Sequence, residues 1–304
     1  MRARKGWLVT MAALAGCGIV GIGAAGVGAT AANDYAEEIE AWRADREARL
    51  KADDGWLTVS ALFFLPEGES RFGSSPRNDL VLPAAFPAEA GVVERRGRSV
   101  SVRAAEGRKL TVDGESVTAA RLYPAEGRVT LTEGPVSFWV HESGERLGIR
   151  VRDTESAIRR NFTRLEWYPV DERFRVRGKF TPHDEPLTVR TMNILGDIET
   201  YESTGHVTLT VAGHEVRMLP VNSGDQLWFI LRDLTSGDET YPAARFLYAD
   251  APDADGWTTV DFNKAYNPPC AFNPHTTCPL PPPDNRLEVR VEAGEKNYSG
   301  PGAH

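Results

Sequence analysis

The strongest constraint on this chain is a change of hydrophobic period. Beyond residue 54 the apolar residues recur at every second position in short runs: LTVDGESV (110–117), VSFWVHE (136–142), LGIRVRD (147–153), FRVRGKF (174–180), HVTLTVAG (206–213), LWFILRD (227–233), WTTVDF (257–262) and RLEVRVEAG (286–294). Side chains alternate across a strand, so a period of two means one buried and one wet face. Gly, Asp and Pro punctuate the runs. The expected class is therefore all-β, as two sandwich or barrel units, and not alternating β and α elements. At 304 residues the chain is long enough for one large or two medium domains, each with its own core.

One segment before the strands has a helical period. From Asp34 to Lys51, Tyr35, Ile39, Trp42 and Leu50 fall roughly on one face, acid–base pairs on the other, and Asp53-Asp54-Gly55 ends the run. Its apolar stripe needs a surface to lie on. An Arg-rich, aromatic, proline-containing passage over Arg160–Asp171 interrupts the strands. The expected division is a signal or anchor segment (1–32), an amphipathic helix (33–53), a first β unit (54–160) and a second (161–304).

The opening differs in kind. Arg2, Arg4 and Lys5 precede an uncharged run from Gly6 to Ala32, as in an export or membrane-anchor segment. Three fates are open: cleavage after Ala29-Thr30-Ala31, retention as an anchor, and lipidation of Cys17 in the lipobox-like Leu14-Ala15-Gly16-Cys17. Each puts the folded part outside the cytoplasm, as a secreted, periplasmic or membrane-anchored protein, with membrane association through this segment only. Gly21-Ile22-Gly23-Ala24-Ala25-Gly26 matches the dinucleotide fingerprint in letters, but no strand–turn–helix unit surrounds it. Removing residues 1–31 takes away Arg2, Arg4 and Lys5 and no acid, leaving 32 basic against 43 acidic residues, a formal net of −11. Long-range repulsion then disfavours nucleic acid and anionic bilayers as partners.

Four blocks carry a resemblance: DGWLTVSALFFLPEGESRFGSSPRNDLVLP (54–83), RLGIRVRD (146–153), SGDETYPAARFL (236–247) and DFNKAYNPPCAFNPHTTCPLPPPDNRL (261–287). Together they resemble the bacterial and archaeal family known as domain of unknown function 1684, from about Trp42 to Tyr298. The resemblance implies no activity. Phe72 to Pro83, with the Leu110–Gly114 hairpin, is also similar to the opening strands of a forkhead-associated β-sandwich. The phosphate-reading residues of that family do not follow: Ser74 stands where its arginine is expected, and residues 84–91 contain neither its serine nor its histidine.

The stretch Asp261–Arg286 holds seven prolines, four asparagines, His275, Cys270 and Cys278. In an oxidising compartment the two cysteines are expected to form a disulfide, which closes a short loop and restricts the unfolded chain by about 2.5 kcal/mol. A three-ligand metal site of Cys270, His275 and Cys278 matches no standard zinc spacing, and a nucleophilic thiol would need a base or positive field beside it. The acidic run Asp250, Asp253, Asp255, Asp261 reads as a solvated Asp-Gly turn at Gly256, because an EF-hand register places Ala251 and Phe262 at ligand positions. No metal or cofactor is expected.

Between Arg146 and Arg177 lie nine arginines against five acids. The period of two puts Arg150 and Arg152 on one strand face, where two guanidinium forks can clamp a carboxylate or phosphate; the alternative is a polar face paired with acids elsewhere. Common catalytic motifs (G-x-S-x-G, H-E-x-x-H, a phosphate-binding loop, C-x-x-C) do not occur. The leading functional expectation is binding of a small, polymeric or anionic ligand in a polar cleft walled by Arg150, Arg152, Arg245, Asp261, Asn263, Tyr266 and Asn267, beside the Cys270–Cys278 loop. The alternatives are a hydrolase, with Asp261 or Glu292 as base and Arg152 or Arg245 stabilising developing charge, and a structural envelope protein.

Overall fold

The computed structural model describes residues 25–303, with side chains from residue 33. Residues 1–24, Cys17 among them, lie outside the described residues. No described helix is long and apolar enough to cross a membrane.

The protein is predominantly β, as the period of two predicts. Its first unit comprises β1 (Val59–Phe64), β2 (Gly68–Gly73), β3 (Leu80–Val81), β4 (Gly91–Arg96), β5 (Ser99–Ala104), β6 (Leu110–Val112), β7 (Glu115–Val117), β8 (Ala119–Tyr123), β9 (Leu131–Glu133), β10 (Val136–Ser143) and β11 (Arg146–Asp153). A six-stranded sheet, β1-β11-β10-β9-β6-β7, packs on a five-stranded one, β3-β2-β4-β5-β8. Phe72, Phe86 and Phe138 meet between them with ring centroids 5.5–6.3 Å apart, alongside Val93, Val100 and Ile149. The β6–β7 hairpin turns on Asp113-Gly114, both at positive φ (48° and 85°), the backbone that a two-residue turn between right-twisted strands requires.

The second unit follows a short helix (Ala157–Asn161) whose Ser156 cap accepts the Arg159 N–H and donates to Leu57 O at 2.6 Å. It contains β12 (Arg175–Met192), β13 (Ile198–Val211), β14 (His214–Met218), β15 (Val221–Ser223), β16 (Gln226–Leu231), β17 (Arg245–Asp250) and β18 (Trp257–Asp261). These form a four-stranded sheet, β14-β13-β12-β18, and a three-stranded one, β15-β16-β17. Val207, Leu209, Phe229, Leu247, Val260 and Phe262 fill the space between them. The acidic run is a turn: Asp253 Oδ1 accepts the N–H groups of Asp255 (3.0 Å) and Trp257 (2.8 Å), and Gly256 sits at φ +75°.

RLEVRVEAG departs from expectation. Leu287, Val289, Val291 and Ala293 are buried while Glu288, Arg290 and Glu292 are exposed, but the segment makes no regular ladder. Side chains replace the missing strand partner. Arg245 donates to the carbonyls of Val291 (3.1 Å) and Ala293, Asp233 Oδ1 accepts the Val291 N–H (3.4 Å), and Arg245 and Asp233 pair at 2.7 Å with both side chains fully buried. Period two therefore records alternation of burial here, with the backbone satisfied partly by the buried ion pair and partly by isolated bonds to the Arg232 and Leu234 backbone.

The amphipathic helix, α1 (Ala25–Lys51), begins before the predicted Asp34 and packs on the second unit. Its inward face carries Tyr35, Ile39, Trp42 and Leu50, as its spacing predicts, and also Arg43 and Arg46, which are both buried. Gly55 then turns the chain away: a Cβ there would lie 2.3 Å from Leu50 O.

Candidate functional site

A cleft of about 840 Å³ opens between α1, the β16–β17 pair and the proline-rich loop. Alternation along QLWFIL sends Leu227 and Phe229 into the core and Trp228 to the opposite face, where its cross-strand partner is Tyr248. Trp228 stacks on Tyr248 (5.9 Å, 8°) and Tyr248 on Tyr266 (6.4 Å, 13°). Trp42 of α1 continues the row at 6.4 Å from Tyr266. The result is an aromatic wall running from the sheet to the helix.

Arg46 closes that wall from the helix side. Its guanidinium lies 4.5 Å from the Tyr266 ring centre and donates to Asn267 O at 2.9 Å. Behind it is Glu295, wholly buried, 3.6 Å from Arg46 and accepting the Asn267 N–H (3.3 Å) and Nδ2–H (2.9 Å). Burial pushes the Glu295 carboxyl up to about 7, against the pull of Arg46 and the Asn267 donors. Burial, reinforced by Tyr248, likewise pushes the Tyr266 hydroxyl up, so that phenol is neutral near pH 7.

Four basic side chains (Arg46, Arg49, Arg175, Lys264) and three acidic ones (Glu38, Asp250, Asp261) border the cleft. Several are committed to one another: Lys264 pairs with Glu38 at 2.7 Å, and Asp261 accepts the Tyr35 hydroxyl at 2.9 and 3.0 Å. The far end is Trp56 with Thr276, Thr277, Cys278 and Pro279.

Of the residues expected at the site, Asp261 and Tyr266 line the cleft. Asn263 and Asn267 are buried supports: Asn263 Nδ2 donates to the Tyr35 hydroxyl (2.9 Å) and Asp171 O (2.9 Å), and Asn267 holds Glu295. The arginines are placed differently from expectation. Arg150 is buried, donating to His141 Nε2 (2.8 Å) and Thr277 Oγ1 (3.2 Å); burial and the Arg150 charge depress His141 to about 3, so it stays neutral and accepts. Arg152 lies over Trp139 and donates to Asp54 O at 2.6 Å. Although they share a strand face, the two guanidinium groups are held by different partners and neither borders the cleft. Arg245 is consumed by Asp233 and the 291–293 carbonyls, and Glu292 pairs with Arg290 at the surface. The structure therefore does not assemble the carboxylate–arginine pair expected of the hydrolase.

Cys270 and Cys278 are adjacent as free, buried thiols, with the Cys270 N–H donating to Cys278 Sγ at 3.2 Å. Sequence reasoning missed Trp228, Tyr248, Arg46 and Glu295. The available signal was Trp228, an aromatic in the polar phase of an alternating strand.

No curated protein matches the chain. A solution NMR structure of an uncharacterised Haloarcula marismortui protein is 30% identical over 44% of this chain and 77% of that one, with a TM-score of 0.38. The model of the family described as protein of unknown function DUF1684 matches residues 160–296, and the chain belongs to that family.

Proposed function

We propose that this protein binds a small polar molecule with a flat or ring-shaped face in the cleft between α1 and the β16–β17 pair, and that it does so outside the cytoplasm. The observation that carries the reading is the row Trp42–Tyr266–Tyr248–Trp228, partly exposed and facing a cleft bordered by nearly balanced charge. Stacked rings on rigid strands offer a flat apolar surface whose ordering is already complete before a ligand arrives. With four basic and three acidic groups at the border, a neutral or zwitterionic ligand fits better than a strongly charged one. The basic and then apolar opening of the sequence supports the extracytoplasmic location. In that setting the Cys270–Cys278 pair is read as a disulfide staple of the cleft's far wall.

A thermal-shift screen of the folded protein against monosaccharides, disaccharides, amino acids and nucleosides tests the reading. At least one neutral or zwitterionic ring compound should raise Tm, by an amount that grows with concentration, and Tyr248→Ala should abolish the rise. A response confined to strongly anionic compounds, undiminished in Tyr248→Ala, would refute it.

A further inference from the structure

The two cysteines stand differently toward the cleft. Cys278 is part of its wall, beside Thr276 and Thr277. Cys270 is packed behind it in the core with Tyr241, Ala271 and Phe272. The Cys270 N–H points at Cys278 Sγ (3.2 Å), and the Thr276 hydroxyl lies 3.7 Å from that sulfur. On the next residue, Thr277 accepts from Arg150, a guanidinium without an ion-pair partner among the described residues and with a buried, unpartnered Nε. Cys270 has a hydroxyl neighbour of its own in Tyr241, so what makes the pair asymmetric is the Arg150 field and the place in the cleft wall, both of which belong to Cys278 alone.

We propose that Cys278 and Cys270 form a thiol–disulfide exchange couple that opens into the cleft, Cys278 reacting first with low-molecular-weight disulfides and Cys270 resolving the product. This rests on the pairing of the two cysteines read above, and not on the identity of the cleft's ligand. The Cys278 thiolate attacks one sulfur of the disulfide RSSR, forming a Cys278–S–SR bond and releasing RS⁻. Cys270 then gives up its proton and attacks Cys278 Sγ, forming the internal disulfide and expelling the second RS⁻. The net change is two protein thiols and RSSR to one protein disulfide and two RSH. The two electrons lost by the protein reduce the small disulfide.

The proton affinities agree with this order. Burial raises the Cys278 thiol, but its hydrogen bonds with Cys270 and Thr276 and the Arg150 field outweigh it and leave it below an ordinary cysteine. Contact with Cys278, together with burial, pushes Cys270 well above one. Attack through the more ionised and cleft-facing sulfur is favoured on both rate factors, thiolate fraction and access. Oxidation would then fix the far wall of the cleft, and reduction would release it.

The test uses the full chain, reduced without denaturant and then exposed to oxidised glutathione, with adducts located by peptide mapping so that Cys17 is counted separately. Wild type should lose two hydrogens with no adduct retained at 270 or 278, and Cys270→Ser should hold one glutathione on Cys278. Limiting iodoacetamide on reduced wild type, which needs no variant to fold, should label Cys278 about tenfold faster than Cys270. Faster labelling of Cys270, or an adduct on Cys270 in Cys278→Ser formed as quickly as that on Cys278 in Cys270→Ser, would overturn the assignment. So would a pair that exchanges only after unfolding; that result leaves a structural staple and the ligand-binding reading standing.

Discussion

Arg46 belongs to a helix whose charged residues, read by spacing alone, all belong to the wet face; yet it is only 7% exposed. What the spacing does not contain is Glu295, 249 positions away in sequence, whose buried carboxyl needs a cation and donors. Because the folded protein holds the Glu295 proton more tightly than the unfolded chain does, its contribution favours folding at low pH and is lost as pH rises from its ordinary 4.5 through about 7. A shift of that size corresponds to about 3 kcal/mol. Glu295→Gln removes it. In denaturant titrations between pH 4.5 and pH 7.5, the stability of wild type relative to Glu295→Gln should fall by about that amount. A difference that is flat over this window would show that Arg46 and Asn267 fully offset the burial.

Among the elements, the strands were the most legible. LTVDGESV carries both its alternation and its turn chemistry, and LWFILRD shows which face is core. The face assignment even contained the cleft, since Trp228 stands in the polar phase, but its stacking on Tyr248 and Tyr266 depends on strand register and on a return of the chain that no local pattern records. RLEVRVEAG shows the limit from the other side: its burial alternates as a strand's does, while its hydrogen bonds run to Arg245, Asp233 and neighbouring backbone. Asp233→Asn leaves the Arg245 guanidinium buried without its counter-charge. It should destabilise the protein by about 3–5 kcal/mol in urea unfolding, far more than loss of an exposed pair such as Arg290–Glu292. A loss below about 1 kcal/mol would mean that Arg245 is satisfied by the carbonyls alone.

At the scale of the whole molecule, the way the two β units meet was not readable from composition or spacing. They are joined by polar contacts from the β10–β11 hairpin to two loops of the second unit: Asp197 holds Ser143 (2.5 Å) and Arg146 (2.7 Å), and Thr277 meets His141 and Arg150. This explains why Arg150, one of the two arginines expected to clamp a ligand, does not border the cleft; Arg152 is held within the first unit by Asp54 O and the Trp139 ring. Arg146 and Arg150 join the first unit to the second, and Arg150 supports the loop that forms the cleft's far wall. The cleft itself is a product of three separated segments, α1, the β16–β17 pair and the loop ending at Pro279, so no single stretch of sequence announces it. Its function as a binding site is tested most directly by native mass spectrometry of the full chain recovered from its native host, wild type beside Trp228→Ala and Tyr248→Ala. The expected result is one non-covalently bound small molecule retained by wild type and lost from both variants while their folded charge-state distribution is unchanged. The same mass retained equally by all three proteins, or no bound molecule on folded wild type, would contradict it.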